Sequence, residues 1–230
     1  MLIIIDSRLP QKAKDSLEEF GDIFELHSKD IVYDSIQGHP DVFLLQMDNL
    51  VMIAPNAPIE LKETLKKHRI PFLIGKTKLG NKFPDTAYYN AVSTPDYIIH
   101  REGFTDSCIL HQNEKKQFVH VSQAYTRCNL LSLSDGSFIT SDKGIEKSLL
   151  KKNIEAHYFS SEDVLLDGQE YGFIGGAMGV YHNKVFIIGS LAYYHEGDRL
   201  SNLLSSKNME IIELYNGPLI DGGGVFFLES

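Results

Sequence analysis

Cysteine is scarce in this sequence, basic charge is in short supply, and no long apolar run occurs. Two cysteines, Cys108 and Cys128, in 230 residues allow one disulfide at most. Their spacing fits neither a disulfide-stapled secreted scaffold nor a zinc site. With 22 Lys and Arg against 31 Asp and Glu, the formal charge is -9. Such a surface repels phosphate backbones and excludes broad nucleic-acid binding unless the basic residues gather on one face. The notable basic cluster, Lys143, Lys147, Lys151 and Lys152, has helical spacing and reads as a solvated helix face. No stretch reaches membrane-spanning length. Met1 to Ile5 is apolar, but no basic segment precedes it and Asp6 follows at once, which is not the pattern of a secretory signal. The expectation is a cytoplasmic protein. Its composition, 43% hydrophobic and 23% charged, is that of an ordinary globular chain able to bury a substantial core.

Two familiar chemical signatures are also missing. Gly175, Gly176 and Gly179 lead into an apolar strand, whereas a phosphate-binding glycine loop follows a strand and opens a helix, and no Gly-Lys-Ser/Thr tail is present. Close backbone packing accounts better for these glycines and for Gly222 to Gly224. The nine histidines show no HExxH-type spacing, and His195 before Glu196-Gly197-Asp198 reads as a solvated helix entrance. No metal and no cofactor are therefore expected.

What the sequence does contain is a repeat, and a repeat fixes fold class. After Asp41 comes an apolar run Val42 to Leu45, a turn Met47-Asp48-Asn49 and a second run Leu50 to Ile53. A helix carrying Leu61, Leu65 and His68 follows, with Asn56 and Pro58 as its start signals, and then a strand Phe72 to Ile74. The same order returns from Cys128: strand Asn129 to Leu133, turn Ser134-Asp135-Gly136, strand Ser137 to Thr140, a helix through Ile145 and Leu149, and a strand Ala156 to Phe159. Asp-Gly between short apolar runs is a strong hairpin signal, because glycine accepts the positive φ of a tight turn. A third copy runs from Gly176 through Val180-Tyr181, Val185 to Ile188 and a helix around Leu200 to Leu204, ending at Glu210 to Leu214. A fainter one, its helix weak or absent, uses Ala91 to Ser93, Tyr97 to His100 and Gln117 to Val121.

The fifth copy is split between the chain ends. Val225 to Leu228 supplies one strand, Leu2 to Ile5 the next, then a helix bearing Leu9, Ala13, Leu17 and Phe20, and a strand Ile23 to Leu26. Sharing one module between the termini is what a closed ring requires, since it leaves no open edge. The expectation is a single α/β domain over residues 1–230, a five-module propeller with pseudo-fivefold symmetry and with Met1 near Ser230.

On this module pattern, and on the stretches Gly38-His39-Pro40-Asp41-Val42-Phe43, Gln123-Ala124-Tyr125-Thr126-Arg127-Cys128-Asn129, Gly172-Phe173-Ile174-Gly175-Gly176 and Ile220-Asp221-Gly222-Gly223-Gly224, the chain resembles the pentein superfamily. This is the guanidino-group modifying enzyme (GME) fold, a five-module α/β propeller. The superfamily contains arginine and agmatine deiminases, dimethylarginine hydrolases, amidinotransferases and a non-catalytic ribosome anti-association factor. Within it, these stretches resemble a bacterial branch without the usual C-terminal catalytic cysteine more than any named enzyme.

The resemblance implies where chemistry should sit. Hydrolytic penteins carry a nucleophilic cysteine after a glycine-rich stretch of the final module, where this chain has Val225, Phe226, Phe227 and Leu228. They place a histidine where this chain reads Tyr171 to Gly176, again without one. Thiolate attack needs a thiol of lowered pKa and an acid-base partner, so the double absence argues against the usual reaction. Cys128, paired with His39, His182 or His195, is the remaining catalytic candidate. Carboxylates at strand ends, Asp6, Asp41, Asp106 and Asp221, could hold a guanidinium or amine. The expected ligand-binding set is Asp6, Asn90, Asn129, Gly175, Gly176 and Asp221. Three readings follow: a small cationic or amino-acid-like ligand bound in a central channel without Cys-His hydrolysis, an interaction module working through its outer surface, and a guanidino hydrolase or transferase using Cys128.

Overall fold

A computed structural model describes residues 1–229. The chain opens with β1 (Leu2–Asp6), α1 (Gln11–Glu18) and β2 (Asp22–Leu26). Every residue of β1 is buried, as expected of a central strand covered on both faces. Ala13 and Leu17, one helical turn apart, turn α1 onto the sheet. The second unit is α2 (Pro40–Phe43), β3 (Leu44–Gln46), β4 (Val51–Ile53), α3 (Ile59–Lys67) and β5 (Phe72–Ile74). The third is β6 (Val92–Ser93), β7 (Tyr97–His100), α4 (Ser107–Gln112) and β8 (Gln117–His120).

The fourth unit comprises α5 (Thr126–Asn129), β9 (Leu130–Ser132), β10 (Phe138–Thr140), α6 (Lys143–Leu150) and β11 (Ala156–Tyr158). Asp142 caps α6, its carboxylate accepting from the backbone N–H groups of Gly144 and Ile145 at 2.6 and 2.9 Å. After a short strand β12 (Val164–Leu165) come β13 (Met178–Tyr181), β14 (Lys184–Ile187), α7 (Gly197–Ser206) and β15 (Glu210–Glu213). The chain finishes with β16 (Leu219–Ile220) and β17 (Phe226–Leu228).

Five sheets of three strands share one topology: the middle strand pairs antiparallel with its hairpin partner and parallel with the strand that returns after the helix. In the sheet shared by the termini, β17 pairs antiparallel with β1, Leu2 opposite Leu228, while β1 runs parallel with β2. The two ends of the chain thus meet in one sheet; Ser230 itself lies outside the described residues. A two-stranded ribbon, β12 parallel to β16, stands apart and carries the chain into Asp221.

Apolar side chains join successive units. Ile4 and Leu26 of the first share a core with Val42, Phe43 and Leu61 of the second and Ile98 of the third. Ile99 and Val119 of the third pack with Phe138 and Ile145 of the fourth, and Ile139 of the fourth with Val185 and Leu200 of the fifth. Phe186 and Ile188 of the fifth pack with Ile3, Ile5 and Leu17 of the first.

Several local expectations shift. Residues 42–45 and 129–133 were expected to be strands from their first residue, but Pro40–Phe43 and Thr126–Asn129 form single helical turns and the strands start at Leu44 and Leu130. Pro40 at the first helical position, with φ already fixed for a helix, favours the turn in the first case. Asn56 does not cap α3; its amide is bonded to the backbone N–H and carbonyl of Leu79. The third unit does have a helix, α4, capped by Asp106. Both cysteines are free. Among the described residues no helix is long and apolar enough to cross a membrane.

Candidate functional site

Each unit contributes polar groups from the same place, the segment that leads into its first strand. The second supplies His39 and Asp41, the third Asn90, the fourth Arg127 and Cys128, the fifth the turn Gly175–Ala177, and the first Asp221 to Gly224. Asp6, at the end of β1, joins them.

Asn90 is the hub. Its side-chain oxygen accepts from the backbone N–H groups of Arg127 (2.7 Å) and Cys128 (3.2 Å), and its NH2 donates to the Asp41 carbonyl (3.0 Å) and toward Cys128 Sγ (3.3 Å). The Cys128 thiol donates to Asp41 Oδ2 at 2.8 Å. Arg127 donates to the carbonyls of Gly175 and Met178, which ties the fourth unit to the fifth. Asp221 accepts from the backbone N–H groups of Phe173 and Gly223 at 2.9 and 3.0 Å. Gly172 and Gly176 leave room for its carboxylate, and a Cβ on either would collide with it. Gly223, at φ +68°, allows His39 to pack directly on the backbone.

His39 lies between two carboxylates, its Nδ1 3.7 Å from Asp221 and its Nε2 3.9 Å from Asp6. Both separations exceed hydrogen-bond length. Both ring nitrogens, and Asp41 Oδ1, are buried without a partner. Asp6 is instead clamped by Arg8, whose guanidinium also donates to the carbonyls of Asp34 and Ser35.

These groups border two neighbouring cavities. The inner, about 180 Å³, is lined by Tyr33, His39, Tyr125, Cys128, Tyr171 and Phe173 among others. The outer, about 690 Å³, is bordered by Asp6, Arg8, Asp167 and Glu170. Leu166, Gln169 and Asp221 belong to both walls.

Burial governs the protonation of the cluster. It raises Asp41 to about 6 against the Cys128 hydrogen bond, which acts the other way. Burial, with the charges of Asp41 and Asp221, holds the Cys128 thiol well above the ordinary thiol range. His39 is pushed down by burial, opposed by Asp221 and Asp6, and Asp221 is pushed up by burial. A thiol so placed keeps its proton and is a poor nucleophile.

Of the residues expected from the sequence, Asp6, Asp221, Gly175, Gly176, Asn90 and Cys128 come together here. Asn90, Gly175 and Gly176 act through the backbone and side chains they hold and do not line either cavity. Asn129 is also turned to structure: it donates to the Tyr125 carbonyl and accepts from Ser141. Asp106 belongs to the α4 cap and accepts from Lys76, Thr77 and Cys108 backbone N–H groups, away from the cluster. His39 is the histidine beside Cys128. His195 is bound to Asp163 at the surface, and His182 borders a different groove. Arg8, Tyr33, Gln169 and Tyr171 were not foreseen; their only signal is a position close to a module junction. Nor could spacing reveal that His39, Asp41 and Cys128 offer three donor atoms within 4.8 Å of one another.

Solved structures similar to this chain include guanidino-modifying enzymes of the pentein fold. DDAH from Pseudomonas aeruginosa, complexed with citrulline, superposes with a TM-score of 0.57 at 11% identity over 92% of this chain and 91% of that one. The inosamine-phosphate amidinotransferase of Streptomyces griseus gives 0.56 at 9% over 94% and 90%. Agmatine deiminase of C. jejuni gives 0.53 at 8% over 93% and 87%. At such identities the likeness establishes the pentein fold and no more. No curated protein sequence matches. Residues 4–226 match the Family of unknown function (DUF6873), and the chain belongs to that family.

Proposed function

We propose that the protein binds a small guanidinium- or amine-bearing, amino-acid-like ligand in the paired cavities and does not hydrolyse it by thiolate attack. The observation that carries this reading is Asp221, a buried carboxylate fixed by two backbone N–H groups in the wall common to both cavities. A fixed carboxylate holds a guanidinium through charge-assisted hydrogen bonds. Tyr33, Tyr125, Tyr171 and Phe173 line the inner cavity, and aromatic rings are groups against which a cation packs favourably. Asp167 and Glu170 add negative charge at the outer one. The ligands of structural neighbours, citrulline in one and S-methyl-L-thiocitrulline in another, support the ligand class by analogy of fold.

The reading includes an architecture. We infer that the five sheets of this single domain close into a pseudo-fivefold ring with the cavities at its axis. Apolar contacts between each unit and the next, and between the fifth and the first, support it. Residence in the cytoplasm agrees with two free thiols. The net charge of -9 favours a small cation over nucleic acid.

Thermal-shift and calorimetric titrations with arginine, agmatine and dimethylarginine test the proposal. A ligand at about a hundred times its Kd should stabilise the fold by about 2.7 kcal/mol. Asp221→Asn should remove that gain while leaving the unliganded protein folded. No response to any of the three probes, or an undiminished response in Asp221→Asn, would refute it.

A further inference from the structure

Among the described residues, the buried side-chain nitrogen and oxygen atoms without a hydrogen-bond partner are three, and all lie in one place: both ring nitrogens of His39 and Oδ1 of Asp41. A buried polar atom left unpaired costs about 1–3 kcal/mol, so three in one place call for an occupant held by His39 and Asp41. Cys128 Sγ completes the group, the three donor atoms lying within 4.8 Å of one another.

From this we infer that His39, Asp41 and Cys128 form a binding site for a divalent transition metal of the zinc class. The inference goes beyond the cationic-ligand reading and does not rest on it. The donor set selects the metal: a thiolate with an imidazole suits zinc and its neighbours, whereas magnesium and calcium take oxygen ligands. Three protein ligands with a fourth position open to a cavity match zinc sites that accept water or a small ligand. Here the fourth position faces the inner cavity, which His39 and Cys128 line and which the outer cavity adjoins, giving a path of access.

Dimensions are compatible. Tetrahedral bonds of ordinary zinc length place ligand atoms about 3.3–3.8 Å apart, so the present spacing closes with small side-chain rotations. Cys128 Sγ and Asp41 Oδ2 already lie 2.8 Å apart with a proton between them, and a metal ion replaces that proton.

The surroundings are those of a metal ligand set. A metal-bound histidine commonly donates its other ring N–H to a carboxylate, and each His39 nitrogen has one nearby, Asp221 at 3.7 Å and Asp6 at 3.9 Å. Whichever nitrogen takes the metal, the other meets an acceptor after a small shift. The Asn90 amide, 3.3 Å from Cys128 Sγ, supplies a donor to a thiolate. The His-Pro-Asp sequence also contributes, since Pro40 fixes the backbone between His39 and Asp41.

The test uses untagged, full-length protein. Purified without chelator, it should carry roughly one zinc per chain by elemental mass spectrometry, and the stripped protein should take up Co²⁺ with a thiolate-to-cobalt charge-transfer band. Cys108→Ala should keep the band; Cys128→Ser and His39→Gln should lose it, and Asp221→Asn should weaken metal affinity about 10–100-fold. If either ligand variant fails to fold, alkylation of the wild type in urea, where the buried thiol becomes accessible, decides: Zn²⁺ should slow modification of Cys128 and leave that of Cys108 unchanged. No charge-transfer band with Co²⁺, a band that follows Cys108, or equal alkylation with and without Zn²⁺ would each overturn the site and leave a buried water as the occupant. Because the probe is the metal alone, failure here leaves the arginine and agmatine titrations to be judged separately.

Discussion

His100 is a buried histidine whose titration should be visible in the stability of the whole protein. It ends β7, its Nε2–H donates to the Ala124 carbonyl at 2.8 Å, and its Nδ1 lies 2.7 Å from the Thr105 hydroxyl, which donates to it. This pairing satisfies a neutral ring, and burial disfavours a second proton. Burial, the largest influence, lowers its pKa from 6.5 to about 4. The folded state therefore resists protonation where the unfolded chain accepts it, and the sign follows. Stability from this group is complete above about pH 6.5 and declines as pH falls toward about pH 4, where the folded ring protonates as well.

That lowering corresponds to about 3 kcal/mol in all, of which about 2 kcal/mol is lost between about pH 7 and pH 5. His100→Gln retains an amide donor for Ala124 and an acceptor for Thr105 but does not titrate. Urea unfolding of the two proteins at about pH 7 and pH 5 measures the difference, with carboxylate titrations common to both cancelling. The wild type should lose about 2 kcal/mol more than the variant over that interval. Parallel losses would show that His100 is not held neutral by its burial.

Gly175→Ala should destabilise the fold by about 1–3 kcal/mol, because its Cβ would lie 2.7 Å from the Cys128 carbonyl oxygen and 2.8 Å from the Leu130 nitrogen, backbone atoms that cannot rotate away. Gly136→Ala, at φ +84° with open space around it, should cost only about 1 kcal/mol in the same unfolding assay, and equal costs would refute the packing argument. The protein should release no ammonia, citrulline or methylamine from arginine, agmatine or dimethylarginine above a no-protein control, since Val225 to Leu228 carry no nucleophile and Cys128, either protonated or bound to a metal ion, offers no free thiolate. Release that disappears in Cys128→Ala would reverse that reading and make Cys128 the nucleophile.

The repeat was legible in the sequence because it is a local property. Short apolar runs, the Asp135-Gly136 turn and the Leu61/Leu65 and Ile145/Leu149 helix faces are written within a few residues of one another, and α3, β10 and α6 form where they stand. The splitting of one unit between Leu2 to Ile5 and Val225 to Leu228 was legible for the same reason, since each half keeps its own pattern. Less legible were the points where two propensities compete over four residues. Pro40 turned an apolar run into a helical turn, and residues 126–129 coiled ahead of their strand.

The site divides in the same way. Asp6, Asp221, Cys128 and the glycines could be singled out by their places in the repeat, as could Asp106 and Asn129, which the structure assigns to a helix cap and a loop tie. Sequence position alone marks which residues stand at a strand end; it does not say which way a side chain turns. The meeting of His39 and Asp41 with Cys128, more than eighty residues later, depends on two units packing side by side. So does the choice of His39 over His182 and His195. Periodicity by itself determined the units and their order, because hydrogen bonding and apolar burial act within each one. Only tertiary packing decided which polar groups became neighbours away from water, and that burial sets the protonation of Asp41, Cys128 and His39.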